Sequence, residues 1–275
     1  MSEQVTSRQV SVGDVPLHRY TEDQVVAAVR EALGRDEGGW IVTPNVDILR
    51  QARRHPAARQ HLDDATVVVA DGMPLVWASR IAGTPLPERV CGANLIWSLT
   101  AALATDGRSV YLLGGSPDAD GPSGAVRAAE RLRAAHPGLR IAGAHSPGYG
   151  FDQRPDELSA TLDAVVGARP DLVLVGLGFP RQEAIIAMLR PRLPGTWFLG
   201  CGAAINFVAG DRSRAPRWMQ RAGLEWAHRL TSEPGRLASR YLRHDLPYVC
   251  RLLIDAGRRR RQRPGHDDGA ARRAT

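Results

Sequence analysis

One acidic residue of this sequence stands at a position typical of ligand-binding sites in open parallel sheets. Asp71 directly follows the apolar run 66–70 and precedes Gly72. A carboxylate at the end of a strand can take the proton from an attacking hydroxyl group, which makes Asp71 a candidate general base. The same spacing is compatible with Asp71 merely capping the helix predicted after Met73. Position alone leaves both interpretations open.

Short apolar runs alternate with helical patterns along most of the chain. Strands are predicted at 40–43, 66–70, 109–113, 139–144, 171–175 and 196–199. Helices are predicted at 46–54, after Met73, and at 124–135, 155–168 and 181–189. Val, Leu and Ile runs separated by helices of this length are typical of a parallel sheet covered on both faces. The sequence therefore predicts a doubly wound, Rossmann-like α/β fold with a mainly parallel sheet.

Small and polar residues gather at the predicted carboxyl ends of these strands, which meet at one edge of an open sheet. Glycines there allow a close backbone approach, and helix N-termini favour anions. The pattern suits a nucleotide diphosphate. The residues in question are Thr43, Asn45, Asp71, Gly114, Gly115, Gly178 and Gln182.

The basic character of the chain belongs to its last quarter. The formal net charge is +7, whereas residues 211–275 alone hold 16 Arg against 7 Asp or Glu. Helices are predicted there at 214–230, 233–243 and 245–261. We expect an α/β core over residues 1–210, an Arg-rich helical appendage over 211–262 and a disordered tail over 263–275. Such a balance indicates a polyanionic partner, namely nucleic acid, an anionic bilayer or phosphorylated substrates.

The last predicted helix has an apolar stripe and a polybasic end. The stripe recurs at steps of three and four residues, and four arginines follow it at 258–261. Such a helix can lie on anionic lipid, where each arginine near the surface adds about 1 kcal/mol. Alternatively, the stripe packs on the core and the arginines are solvated. The stripe consists of Leu246, Val249, Leu252, Leu253 and Ala256.

The sequence has no feature that predicts secretion or membrane spanning. The first 20 residues contain no apolar segment typical of a signal peptide, and no run approaches the roughly 18 apolar residues of a spanning helix. Cys91, Cys201 and Cys250 are widely separated, which favours reduced thiols. We therefore expect a cytoplasmic protein that meets a membrane only from its inner surface.

No organic cofactor or metal is predicted. The dinucleotide-binding pattern requires glycines at the first strand–helix turn, which here is Thr43-Pro44-Asn45. Gly176-Leu-Gly178 is followed by Phe-Pro-Arg and lacks the third glycine. The eight histidines are scattered and no zinc motif is present. Asp118 and Asp120 form an Asp-x-Asp pattern that can hold Mg²⁺, but they lie in a Gly/Pro/Asp loop and are interpreted as a solvated turn.

Taken together, the motifs resemble the WecG/TagA/CpsF family, glycosyltransferase family 26, from about residue 43 to residue 241. The two most specific segments are the one beginning at Gly176 and the one beginning at Arg214. The matching segments are Thr43-Pro-Asn45-Val-Asp47, Asp71-Gly72-Met-Pro, Arg89-Val-Cys-Gly92, Gly176-Leu-Gly178-Phe-Pro180-Arg-Gln182-Glu183, Arg214-Ala-Pro216 and Gly223-Leu-Glu225-Trp226.

The resemblance implies an inverting, metal-independent transfer of a hexose from a UDP-sugar to a sugar on polyprenyl diphosphate, for a cell-surface polysaccharide. It assigns the base to Asp71 and sugar-orienting roles to Thr43, Asn45 and Gln182. It further implies that the appendage closes over the site and touches the membrane. The diphosphate would then be held by Arg214, Arg229 and Arg240.

Two positions depart from the family pattern. Asn94 and Asn206 stand where members often carry Asp, and Asn keeps the shape but loses the charge. If Asn206 or Asn94 contacts the donor sugar, we expect the enzyme to prefer a different donor from that of family members with Asp. The donor is therefore left open between N-acetylmannosamine, its uronic acid, glucose and similar hexoses. Assembly into a homo-oligomer is also left open.

Two functions of other classes compete with the enzyme. A basic nucleic-acid-binding protein would explain the arginines but would leave the strand-end residues without a role, so no nucleic-acid partner is predicted. UDP affinity together with weak, salt-sensitive DNA binding would favour the enzyme. A catalytically silent scaffold of a polysaccharide complex would tolerate Asp71→Asn.

Overall fold

The apolar runs assemble into one six-stranded parallel sheet with the strand order β4-β3-β8-β7-β5-β6. The computed structural model describes residues 9–117, 121–221, 223–232, 235 and 239–262. A separate antiparallel hairpin, β1–β2, precedes the sheet in the chain. The strands are β1 (Gln9–Val12), β2 (Val15–His18), β3 (Gly39–Val42), β4 (Val67–Val68), β5 (Ser109–Gly114), β6 (Arg140–His145), β7 (Leu172–Gly176) and β8 (Trp197–Gly200).

Helices cover both faces of this sheet. A π-helical segment, Arg240–Asp245, leads into the last helix, and short 3-10 turns span Phe151–Gln153 and Arg190–Arg192. The helices are α1 (Glu22–Leu33), α2 (Val46–Arg54), α3 (Pro56–Asp63), α4 (Met73–Ile81), α5 (Gly92–Thr105), α6 (Gly124–Ala135), α7 (Pro155–Ala168), α8 (Arg181–Leu189), α9 (Ala204–Ala209), α10 (Arg217–Arg221), α11 (Glu225–Ser232) and α12 (Leu246–Gln262).

The side chains of β7 point alternately to the two faces of the sheet, and each face is covered by its own apolar layer. Leu172 and Leu174 belong to the layer formed with α1, α5, α6 and α9. Val173 and Val175 point to the opposite layer, which includes the hairpin and α12. Because successive strand side chains face opposite sides, a continuous apolar run serves both layers. The predicted doubly wound, mainly parallel fold is confirmed.

The predicted sheet strands agree with the observed ones to within a few residues, and β4 is the most shortened. The hairpin β1–β2 and the helices α1, α3, α5 and α9 were not anticipated. Gly13 turns the hairpin with φ +63°, a conformation that glycine adopts without strain. This hairpin matters for the C-terminal region because α12 packs on it.

The predicted helix 214–230 is wrong, because two short helices stand in its place. Gly223 lies between α10 and α11 with φ +74°. A Cβ atom added at Gly223 would lie 2.3 Å from Cγ of Met73, so the backbone passes directly over the start of α4. A single straight helix could not make this turn, which brings the C-terminal segment to the residues beside Asp71.

Helix α12 packs on the core with part of its predicted stripe. Leu252 and Ala256 are buried, and Leu252 Cδ1 lies 3.5 Å from a Cβ atom built on Gly13. Leu246, by contrast, is 54% exposed. The core-packing interpretation therefore holds for Leu252 and Ala256. The division at residue 210 and the tail 263–275, which lies outside the described residues, stay predictions.

We expect Leu252→Ala to lower the free energy of unfolding by about 2–4 kcal/mol, because it removes buried methyl groups at the contact with the hairpin. Urea denaturation followed by circular dichroism measures the change. Leu246→Ala is the matched control on the same helix, with an expected change within about 0.5 kcal/mol. Equal effects of the two substitutions would contradict the docking of α12.

Candidate active site

The carboxyl ends of β3 and β4 bring the first candidate residues together. The Asp71 N–H donates to the carbonyl oxygen of Pro44 at 2.9 Å. The Val90 N–H in turn donates to the carbonyl oxygen of Ala70 at 2.9 Å. These two hydrogen bonds join three segments at the sheet edge, namely the loop after β3, the turn at Asp71 and the segment before α5.

Asp71 is not the residue that caps α4. The N-cap position is occupied by Gly72, which has φ +147° and no side chain to accept a hydrogen bond. The Asp71 side chain is 29% exposed, and its Oδ1 lies 3.8 Å from Nη1 of Arg89. The carboxylate is therefore reachable from solvent and lies beside a cation.

Glu225, at the start of α11, bridges two arginines. Its Oε2 lies 3.1 Å from Nη1 of Arg89, and its Oε1 lies 3.3 Å from Nε of Arg214. The three side chains are between 11% and 19% exposed. This bridge joins the C-terminal segment to the edge that carries Asp71.

The Arg214 guanidinium is fixed by further contacts. Its Nη1 donates to Oδ1 of Asn94 at 2.7 Å, and its Nη2 donates to the sulfur of Cys91 at 3.3 Å. Asn94 Nδ2 donates to a carboxylate oxygen of Glu22 at 3.1 Å. Both ends of the Asn94 amide thus bind protein groups, so this side chain orients the arginine.

Burial and neighbouring charges shift the pKa values of Arg89, Cys91 and Arg214. Burial, reinforced by the Asp71 carboxylate, raises the pKa of Cys91 to about 11, so the thiol stays neutral. Burial opposes the charge on Arg89, but Cys91, Asp71 and Glu225 raise its pKa overall. The pKa of Arg214 is likewise raised, against the effect of burial, by Cys91 and Glu225. Two guanidinium cations thus lie at the edge beside Asp71.

Gln182 ties together the loops that follow β7 and β8. Its Oε1 accepts the N–H of Gly178 at 3.1 Å and the N–H of Gly202 at 2.9 Å. Its Nε2 donates to Oε1 of Glu183 at 2.8 Å. Gln182 is only 4% exposed, so its side chain shapes this part of the edge. A direct role of Gln182 toward a sugar stays a prediction.

Glu183 is a fully buried carboxyl group. Burial raises its pKa to about 7, against the opposing hydrogen bond from Gln182. Its Oε2 has no hydrogen-bond partner among the described residues. A buried group of this kind holds its proton near neutral pH because the charged form is poorly solvated.

Close backbone packing forms the edge between β5 and β7. A Cβ atom on Gly114, which has φ +115°, would lie 2.5 Å from the carbonyl oxygen of Gly176. Gly115 follows with φ +84°. Asn206 Oδ1 accepts the N–H of Ser116 at 2.9 Å. The two glycines are therefore required by the fold, and Asn206 holds the loop that follows them.

The fold also uses the two polar residues after β3. Asn45 caps α2 because its Oδ1 accepts the N–H of Ile48 at 3.1 Å. Thr43 is buried, and its Oγ1 would lie 3.4 Å from a Cβ atom on Gly92. Both residues lie in the segment that binds the turn at Asp71, and their substrate contacts stay predictions.

Asp118 and Asp120 lie outside the described residues, as do the side chains of Arg229 and Arg240. No group of three or more His, Cys, Asp or Glu suited to a metal ion occurs in the described part of the chain.

Arg89 and Glu225 were missed as site residues. Both occur in recognisable motifs, but 136 positions separate them in sequence. A lone charged residue gives no sign of its partner until the fold brings the two together.

The carboxyl edge of the parallel sheet thus combines a partly exposed carboxylate, Asp71, with two arginines joined by Glu225. A profile of the Glycosyl transferase WecG/TagA/CpsF family matches residues 10–262. The chain therefore belongs to this family, whose members are glycosyltransferases.

Three relatives from different species share the same enzyme name. The N-acetylglucosaminyldiphosphoundecaprenol N-acetyl-beta-D-mannosaminyltransferase of Bacillus spizizenii is 32% identical over 204 residues, covering 74% of this chain and 75% of that protein. The Bacillus subtilis protein of the same name is 29% identical over 72% of this chain and 73% of its own. That of Staphylococcus aureus is 29% identical over 69% and 70%, respectively.

We expect the contribution of Glu183 to the stability of the protein to fall as pH rises from about 4.5 to about 7. The folded state holds a proton up to the raised pKa of about 7, whereas the unfolded chain releases it near the ordinary value of 4.5. Glu183→Gln should flatten this part of the profile. Urea denaturation at several pH values measures it.

Glu130→Gln, at an exposed position of α6, is the control for the removal of a carboxylate. A pH profile of Glu183→Gln identical to that of the unsubstituted protein between pH 5 and 7 would contradict the shifted pKa.

Proposed function

We propose that this enzyme transfers a hexose, with inversion, from a UDP-sugar to a sugar carried on polyprenyl diphosphate. The observation that carries the proposal is the solvent-reachable Asp71 carboxylate, 3.8 Å from Arg89, at the carboxyl edge of a parallel sheet. The names of the relatives support the reaction class and a diphosphoundecaprenol-linked acceptor. The product would be a precursor of a cell-surface polysaccharide.

Asp71 acts as the general base in this proposal. Its carboxylate accepts the proton of the acceptor hydroxyl while the hydroxyl oxygen forms a bond to the anomeric carbon of the donor. The bond between that carbon and the diphosphate oxygen breaks, and its electron pair leaves with UDP. Attack and departure on opposite faces of the sugar invert the anomeric configuration.

Arg89 and Arg214 would stabilise the departing diphosphate. Forked guanidinium groups match phosphate oxygens, and two of them offset the charge that develops on the leaving group. Glu225 forms ion pairs with both arginines. A bound diphosphate would take over part of these contacts from the Glu225 carboxylate. Two guanidinium cations can supply this charge, so we propose that the transfer needs no metal ion; full activity in EDTA would agree with this.

N-acetylmannosamine is the donor sugar that the relatives' names favour, and we propose it for this chain. The contacts of Asn94 with Arg214 and of Asn206 with Ser116 give both departures from the family pattern a role within the protein. Thermal unfolding with a panel of UDP-sugars tests the choice, because a ligand that binds the native state raises the Tm. A larger rise of the Tm with UDP-glucose than with UDP-N-acetylmannosamine would contradict this choice of donor.

A lipid-linked acceptor requires the enzyme to work at a bilayer surface, and we propose the inner face of the cell membrane. None of the described helices is long and apolar enough to cross a membrane. Exposed apolar side chains in the C-terminal segment, which also carries the polybasic end of α12, support surface binding. They include Trp218, Leu242, Leu246 and Ile254.

We expect Asp71→Asn to lower turnover by about a hundredfold or more, the usual scale for loss of a general base, with UDP affinity largely unchanged. A coupled assay of UDP release and titration calorimetry with UDP measure the two quantities. Asp163→Asn, at an exposed position on α7, is the matched control. Undiminished turnover of Asp71→Asn would remove the base assignment and favour a catalytically silent scaffold.

We expect Arg214→Gln to weaken UDP binding by about tenfold or more, since a charged hydrogen bond to phosphate contributes about 1.5–3 kcal/mol. Glu225→Gln should instead strengthen UDP binding, because it removes the carboxylate that competes for both arginines. Arg212→Gln removes the same charge two residues from Arg214 and should change little. Weaker UDP binding by Glu225→Gln would contradict the competition.

A further inference from the structure

A second basic site lies between α2 and the C-terminal helix, away from Asp71. It is a cavity of about 280 Å³, far above the roughly 10–15 Å³ that one water molecule needs. Seven of its eight lining residues carry a charged or polar side chain. The lining residues are Arg50, Arg53, Arg54, Arg243, His244, Pro247, Tyr248 and Arg251.

Two of the five lining arginines have acidic partners. Arg50 pairs with Asp47, and its Nε lies 3.5 Å from Oδ1 of Asp245. Arg251 Nε lies 3.7 Å from Oδ2 of Asp255. These carboxylates partly offset the charge on two sides of the cavity.

The other three arginines bring an excess of positive charge. Within the ranges that the structure describes, no acidic side chain forms an ion pair with Arg53, Arg54 or Arg243. Like charges that converge on one cavity repel each other, and the repulsion is relieved when an anion enters. The excess positive charge therefore favours the binding of an anion at this place.

The donors in the wall suit phosphate better than an isolated carboxylate. Guanidinium groups offer paired N–H donors in the geometry of phosphate oxygens. They come from two different elements, α2 and the segment 243–251, so they can contact an anion from opposite sides. Tyr248 also lines the cavity.

We propose that this cavity binds a phosphate group, carried either by an anionic lipid headgroup or by a free phosphate compound. It is separate from the edge that holds Asp71. On α2 its wall runs from Arg50 to Arg54, about 6–12 Å along the helix axis from the helix start at Val46. The inference does not depend on the proposed transfer reaction, because its readout is binding rather than turnover.

A lipid source has one structural argument in its favour. On α12, Leu246, Cys250 and Ile254 are exposed and recur every four residues. At about 100° per residue this row lies beside the row that holds Pro247 and Arg251. A bilayer in contact with the apolar row would bring its headgroups close to the cavity.

The test compares two double variants of the full chain that remove equal charge. Arg53→Ala/Arg54→Ala removes two exposed arginines of the cavity wall, and Arg133→Ala/Arg140→Ala, the control, removes two exposed arginines of α6 and β6. The probes are inorganic diphosphate, titrated by calorimetry with saturating UDP present, and vesicles of phosphatidylcholine with and without phosphatidylglycerol, measured by sedimentation. UDP keeps the proposed catalytic edge occupied.

We expect the cavity variant to lose at least about tenfold in affinity for one of the two probes, while the control loses less than about threefold. A selective loss toward diphosphate identifies a free phosphate compound as the ligand. A selective loss toward phosphatidylglycerol vesicles identifies a lipid headgroup. Equal losses in both variants, or binding of neither probe by the unsubstituted protein, would overturn the proposal. Failure of Asp71→Asn to reduce turnover would leave this result untouched.

Discussion

Parallel strands all end at the same edge of their sheet, and the candidate site of this protein depends on that constraint. Strands β3, β4, β5, β7 and β8 come from segments far apart in sequence, yet their carboxyl ends are neighbours. The loops that leave these ends must therefore pack against one another. Hydrogen bonds such as that from the Asp71 N–H to Pro44 hold the loops in register.

Many polar groups at this edge serve the fold as well as any ligand. Gln182 binds two glycine N–H groups, and Asn45 caps a helix. An unpaired buried amide would be costly, so these contacts are part of the stability of the edge. Such pre-organisation also benefits catalysis, because groups that are already fixed need no reordering when the substrate binds.

The C-terminal segment completes the edge through charge and through packing. Glu225 binds Arg89 and Arg214, while Gly223 lets the backbone cross over Met73. Helix α12 adds its buried Leu252 to the same apolar layer as the hairpin. The basic residues of this segment consequently surround two distinct places, the edge near Asp71 and the cavity beside Arg54.

Periodicity by itself determined the parallel sheet and the order of its strands along the chain, because strands and helices follow from local apolar patterns. Residue type and position at the end of a strand determined Asp71 as the leading candidate. The motifs also determined the family. Only the tertiary structure decided that Glu225 joins two arginines and that Leu252 is buried while Leu246 is exposed. These outcomes depend on contacts between residues distant in sequence, and local pattern carries no information about which distant partners will meet.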